Sequence, residues 1–64
     1  MENKQFNLSL RRFFKEVGIS SQQEIERIVR EQNLAGKGML KVTMVLTASG
    51  TDLNHVVNGE INLG

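Results

Sequence analysis

The chain has 64 residues, with eight basic and seven acidic side chains, one histidine and no cysteine. These numbers predict one small domain and exclude disulfides and a cysteine–histidine zinc site. The formal charge of +1 is far from the basic balance of dedicated nucleic-acid-binding domains. No apolar run approaches the roughly 20 residues that span a bilayer, and we expect a cytoplasmic protein.

The small size predicts a need for stabilisation from outside the chain. A single core in a domain of this length contributes only about 3–5 kcal/mol net. Small domains commonly add disulfides, a metal or a partner subunit, and this chain has no cysteine and one histidine, so neither a disulfide nor a zinc site is available. Self-association into a homodimer is the device that remains, with a monomer as the open alternative.

A first amphipathic helix is predicted over residues 7–17, after a flexible segment at residues 1–5. Its apolar residues recur at i, i+3, i+4 and i+7, which places them on one helical face. They are Leu10, Phe13, Phe14 and Val17. We predict that the phenylalanines belong to the core of the domain.

A corner is predicted next, at Gly18-Ile19-Ser20-Ser21. Glycine suits the left-handed C′ position that ends many helices. Ser21 and Glu24 then form a capping box for a second helix, and the serine one residue earlier offers the same motif with a glutamine. This second helix is predicted over residues 21–33. Its inward residues are Ile25, Ile28 and Val29.

Residues 40–48 alternate between apolar and polar, which predicts a half-buried strand. After a glycine turn, a second strand is predicted over residues 53–63. The dipeptide Asn58-Gly59 leaves an alternative open, because it is a strong hairpin signal that would make residues 60–64 a third strand. We favour Gly59 within the second strand, since the first strand needs a partner of similar length.

The predicted fold class is α+β, with two short amphipathic helices packed on one face of an antiparallel β-hairpin in the order α-α-β-β. We predict that the sheet face carrying Met44 is part of the core. A two-stranded hairpin leaves two open edges that invite pairing with another chain. In a homodimer, the two hairpins would then form a four-stranded sheet.

His55 is the only histidine in the chain. No nucleophile is placed beside it along the sequence. Asp52 is explained as a turn residue, and Glu60 falls on the opposite strand face. We therefore expect no enzyme, no cofactor and no metal site.

Two exposed surfaces are candidates for contact with a protein partner. The outer face of the first helix carries the basic helix cluster, and the outer sheet face carries what we call the valine-pair face. Two valines on that face are more exposed apolar surface than a free domain needs, with ordinary exposed valines as the alternative. The basic helix cluster is Arg11, Arg12 and Lys15. The valine-pair face is Lys41, Val45 and Val56, with Thr43 and Asn58. The predicted function is an interaction or self-association module whose partner is unknown.

Three segments carry a resemblance that covers nearly the whole chain. They are FNLSLRRFFKEVGISSQQEIERIVRE, KVTMVL and DLNHVVNGEINL. Together they resemble a family of small bacterial proteins of unknown function that share this length and a closing His-Val-Val-x-Gly-Glu-Ile segment. The resemblance implies the α-α-β-β order and a bacterial origin, and it implies no activity.

The corner and hairpin also resemble, in part, the turn, recognition helix and wing of a winged-helix DNA-binding module. The chain departs from that pattern because it has no third helix upstream, and Phe14 stands where such turns favour a small residue. Glu24, Glu26 and Glu31 in the second helix would also repel phosphates. DNA binding through the second helix is therefore the alternative function, and a nucleic-acid partner is not expected.

Overall fold

The computed structural model describes residues 3–64. A single helix, α1 (Lys4–Glu31), precedes strands β1 (Met39–Thr47) and β2 (Asn54–Asn62). The chain divides into two compact units, with the boundary after Asn33. The α+β class and the antiparallel hairpin are confirmed. The prediction of two short helices is wrong.

The helix begins earlier than predicted, because Asn3 caps it. Asn3 has an extended backbone, and its side-chain oxygen accepts a hydrogen bond from the Phe6 N–H at 3.2 Å. Such a cap satisfies one of the first N–H groups that a helix leaves without an internal partner. Lys4 and Gln5, which we predicted to be flexible, are therefore helical. The rest of that predicted segment, Met1 and Glu2, lies outside the described residues.

The predicted corner is helical throughout. Gly18 lies inside α1, and the Ser20 hydroxyl donates a long hydrogen bond of 3.5 Å back to the Val17 carbonyl instead of capping a new helix. A glycine inside a helix costs only about 0.5–1 kcal/mol relative to alanine. A break at Gly18 would leave several backbone groups without helical partners. Continuation of the helix is the less costly solution.

One apolar stripe runs the length of α1. Phe6, Val17 and Ile28 lie eleven residues apart, as do Phe14 and Ile25. Eleven residues complete three turns at about 3.67 residues per turn, close to the 3.6 of an α-helix, so the stripe stays on one side. We call this set the apolar stripe: Phe6, Leu10, Phe13, Phe14, Val17, Ile25, Ile28 and Val29.

A left-handed residue was predicted at Gly18, and the structure has one just after the C-terminal end of α1, at Asn33. Asn33 has a φ of 57° and directly follows the C-cap residue Gln32, whose N–H donates to the Ile28 carbonyl at 2.9 Å. Asparagine tolerates this left-handed conformation better than most residues. The helix therefore ends at Glu31, and the left-handed Asn33 turns the chain away from the helix axis.

The hairpin has one continuous antiparallel register. Met39 pairs with Asn62 at one end and Thr47 with Asn54 at the other. Gly59 lies within β2, opposite Val42, so the alternative of a turn at residues 58–59 is excluded. Each strand end falls within one residue of its predicted position.

Two short connections define the ends of the hairpin unit. In the turn, the hydroxyl and N–H of Thr51 both donate to the Ala48 carbonyl, at 2.8 and 3.2 Å. At the open end, the Gly36 N–H donates to the Leu63 carbonyl at 2.6 Å. The Leu63 N–H in turn donates to the Gly38 carbonyl at 2.7 Å. Backbone pairing therefore continues beyond the two strands.

No side chain is buried anywhere in residues 3–64. Phe13 is 47% exposed and Met44 45%, so the prediction that these residues form a core is wrong for the single chain. The stripe's C-terminal residues Val17, Ile25, Ile28 and Val29 are half-buried. Packing of the helix on one face of the hairpin stays a prediction.

Candidate interaction surfaces

The basic helix cluster lies in the N-terminal half of α1. Arg11, Arg12 and Lys15 are all exposed. Across residues 3–64 none of the three is in an ion pair, and the i, i+4 spacing of Arg12 and Glu16 does not produce one. The cluster therefore presents three positive charges that its own helix does not neutralise.

In the C-terminal half of α1, one arginine pairs with two glutamates. The Arg27 guanidinium contacts the Glu24 carboxylate at 2.9 Å and the Glu31 carboxylate at 3.0 Å. The hydrogen bond and charge of Glu24, joined by the charge of Glu31, raise the pKa of Arg27. Gln22 also donates to Glu26 at 3.3 Å. The two halves of the helix thus differ in electrostatic character.

The register of the hairpin assembles the valine-pair face. Val45 lies directly opposite Val56, and Lys41 lies opposite Glu60. The valines are 59% and 49% exposed. Directly opposite residues in a sheet interact, whether as apolar or as oppositely charged pairs. Between these two pairs, Thr43 donates a 3.0 Å hydrogen bond to the Asn58 side chain. The three predicted residues of this face are therefore brought together.

The other sheet face is also apolar. Met44 lies opposite Val57, and both are about half exposed. A Cβ added to Gly59 would lie 3.7 Å from a methyl group of Val42, which is ordinary van der Waals contact. Packing within the hairpin therefore does not require glycine at this position.

The single histidine, His55, lies in β2. It lies opposite Leu46, while Glu60 points to the other face of the sheet, as predicted. In the described part of the chain, no three His, Asp or Glu side chains converge on a point where a metal ion would bind.

The large side chains of the apolar stripe are more exposed than predicted. Those of Phe6, Leu10 and Phe14 were assigned to the inward face or the core of the domain, and they are 42–50% exposed. The signal that marks them as one surface is the eleven-residue spacing that continues through Gly18. Reading Gly18 as a helix end concealed that continuity.

The interpretation of the chain as a winged-helix module loses its basis. That interpretation needs a turn between two helices at residues 18–21, and α1 passes through those residues without interruption. No other feature of the fold within residues 3–64 supports DNA binding. Within residues 3–64, the helix α1 contains no apolar stretch long enough to cross a bilayer.

Comparison with known proteins identifies one family. Residues 1–64 match the model of a family described as "Family of unknown function (DUF6494)". Comparison with curated proteins and with solved structures gives no match.

Proposed function

The chain belongs to the DUF6494 family of unknown function, and on that premise we propose that it is a small interaction module that self-associates and has no catalytic activity. The exposure of its apolar side chains is the observation that carries this proposal. Twelve large apolar side chains are 42–59% exposed, while none is buried within residues 3–64. Large exposed apolar patches on a protein are typical of interaction sites.

Free energy favours covering these side chains. Removing apolar surface from water is favourable by about 25 cal/mol per Å², and a domain needs such burial to offset the conformational entropy that folding costs. A single chain of this family member leaves that surface in contact with water. A second copy of the chain carries the same apolar surface, and it is present wherever the first copy is.

The six predicted contact residues offer further surfaces, for contact with the second copy or with another protein. The exposed valine-pair face is a compact apolar contact with charged residues at one end. The basic helix cluster suits an acidic surface on a partner. We propose that the protein is bacterial, on the basis of the family resemblance, and cytoplasmic, which its lack of cysteine fits.

Sedimentation velocity over a dilution series tests the proposal. We expect a dimer that dissociates on dilution, and no change on adding a labelled mixed-sequence DNA duplex at low salt. A chain that stays monomeric up to the highest concentration would overturn self-association. Co-sedimentation with the duplex that is lost as salt rises would favour the DNA-binding alternative.

A further inference from the structure

The apolar stripe of α1 runs along most of the helix, and none of its side chains is buried. It extends from Phe6 to Val29, roughly 35 Å at 1.5 Å per residue. We propose that it pairs antiparallel with the α1 of a second copy, about a two-fold axis between Val17 and Gly18. This inference rests on the proposed self-association and names the surface that carries it.

The sizes of the side chains favour the antiparallel direction. The N-terminal half of the stripe is bulky and aromatic, whereas the C-terminal half is aliphatic and contains Ser21 at a stripe position. With the axis between Val17 and Gly18, Phe14 lies level with Ser21 of the second copy, and Leu10 with Ile25. Facing large residues with small ones gives an evenly packed interface. Parallel helices would place phenylalanine against phenylalanine and serine against serine.

The charges of the two halves favour the same direction. Residues 4–17 contain four basic residues and one acidic residue, a net charge of +3. Residues 18–31 contain two basic and three acidic residues, a net charge of −1. The helix dipole adds partial positive charge at the N-terminus and negative charge at the C-terminus. Antiparallel pairing brings opposite halves together, whereas parallel pairing sets +3 against +3.

Individual charges follow the same register. Arg11 lies level with Glu24 of the second copy, and Lys4 lies level with Glu31. No residue of the basic helix cluster has an ion-pair partner in its own chain within residues 3–64. Complementary charges across an interface set its orientation and register. The arrangement therefore places two acidic residues, which also contact Arg27 of their own chain, level with Arg11 and Lys4.

The shape of the stripe suits a nearly straight pair. Its eleven-residue spacing corresponds to about 3.67 residues per turn, which predicts at most a slight right-handed supercoil. Small residues at the crossing allow close approach, and Gly18 lies beside the axis. A Cβ at Gly18 would meet no atom within 4 Å in its own chain, so space at that position is available to a neighbouring helix.

Disulfide trapping in the full chain tests direction and register, because the natural chain has no cysteine. Four single variants are oxidised at a concentration where the wild type is dimeric: Val17→Cys, Leu10→Cys, Ile25→Cys and, as a control on the outer face of α1, Glu16→Cys. We expect Val17→Cys to form a covalent dimer. Leu10→Cys and Ile25→Cys should cross-link when mixed with each other and at least tenfold less when alone. Glu16→Cys should not cross-link.

Sedimentation of each variant under reducing conditions distinguishes loss of folding from loss of pairing. A reduced Leu10→Cys chain that stays helical and dissociates at a higher concentration than the reduced Glu16→Cys chain supports the helix interface. Self-cross-linking of Leu10→Cys and Ile25→Cys would overturn the antiparallel direction. A wild-type dimer whose stripe variants all remain dimeric without cross-linking would overturn this inference and leave the proposed self-association intact. A wild-type monomer would overturn both.

Discussion

The helix unit and the hairpin unit are held by different kinds of contact. In α1, hydrogen bonds join residues that are close neighbours in the sequence, such as Phe6 to Asn3 and Gln32 to Ile28. In the hairpin, Met39 pairs with Asn62 across the whole unit. The conformation of the helix is therefore decided locally, whereas that of the hairpin depends on its register.

The difference shows what each unit lacks by itself. Most of the stability of a helix in a protein comes from packing of its amphipathic face, and the apolar stripe is half-buried at best. A two-stranded hairpin is marginal in water. The effect on stability of a substitution in the helix unit should therefore depend on association. The effect of one in the hairpin should depend on the cross-strand pair that it changes. The predictions below test that contrast.

The largest effect is expected for Phe13→Ala. If self-association covers the stripe, the substitution costs about 3–5 kcal/mol in the associated state. In the dilute monomer it costs much less, because Phe13 is already 47% exposed. Thermal unfolding followed by circular dichroism at high and low protein concentration measures both values.

Leu8→Ala is the matched control for that experiment. Leu8 is 48% exposed and lies two residues before Leu10, on the opposite side of α1. Its substitution should have the same small effect at both concentrations. Equal effects of the two substitutions at high concentration would contradict coverage of the stripe.

Gly18 tests the continuity of α1. Gly18→Pro should cost about 3 kcal/mol of helix stability. Gly18→Ala should increase helix stability by about 0.5–1 kcal/mol, because a Cβ there meets no neighbouring atom. Helical content by circular dichroism of the dilute chain measures both. A loss of helix in Gly18→Ala would indicate a left-handed glycine and a broken helix.

Substitution of the valine pair should leave the monomer almost unchanged. Val45→Thr combined with Val56→Thr replaces two exposed side chains, and such surface changes alter the free energy of unfolding by less than about 1 kcal/mol. Denaturant unfolding of the dilute chain measures this effect. Sedimentation of the same variant at high concentration tests coverage of the face, and dissociation of the dimer would show that the interface includes the hairpin.

The smallest effect is expected at the Lys41–Glu60 pair. Lys41→Glu places two like charges directly opposite each other in the register, which costs about 0.2–1 kcal/mol. Adding Glu60→Lys should restore the stability of the hairpin. Urea unfolding at low salt, where surface charges are least screened, compares the two variants with the wild type. An unrestored double variant would argue against this register.

Sequence reasoning was most accurate where several signals agreed. Alternation of apolar residues, a glycine turn and two segments of similar length all predicted the hairpin, and Gly59 fell within β2 as expected. The corner at Gly18 failed because its glycine and serine signals are each worth only about 1 kcal/mol. They compete with the backbone hydrogen bonds of a helix that is strongly favoured on both sides.

Side-chain periodicity was enough to predict the α+β class, the two strands and the shared face of Lys41, Val45 and Val56, because it is a property of the local backbone. The pairing of Val45 with Val56 required the folded hairpin, since a one-residue shift of register changes every cross-strand pair. The exposure of the α1 phenylalanines in the single chain likewise required the structure. Burial depends on what lies beside a side chain in space, and amphipathic periodicity states only which side chains would be covered.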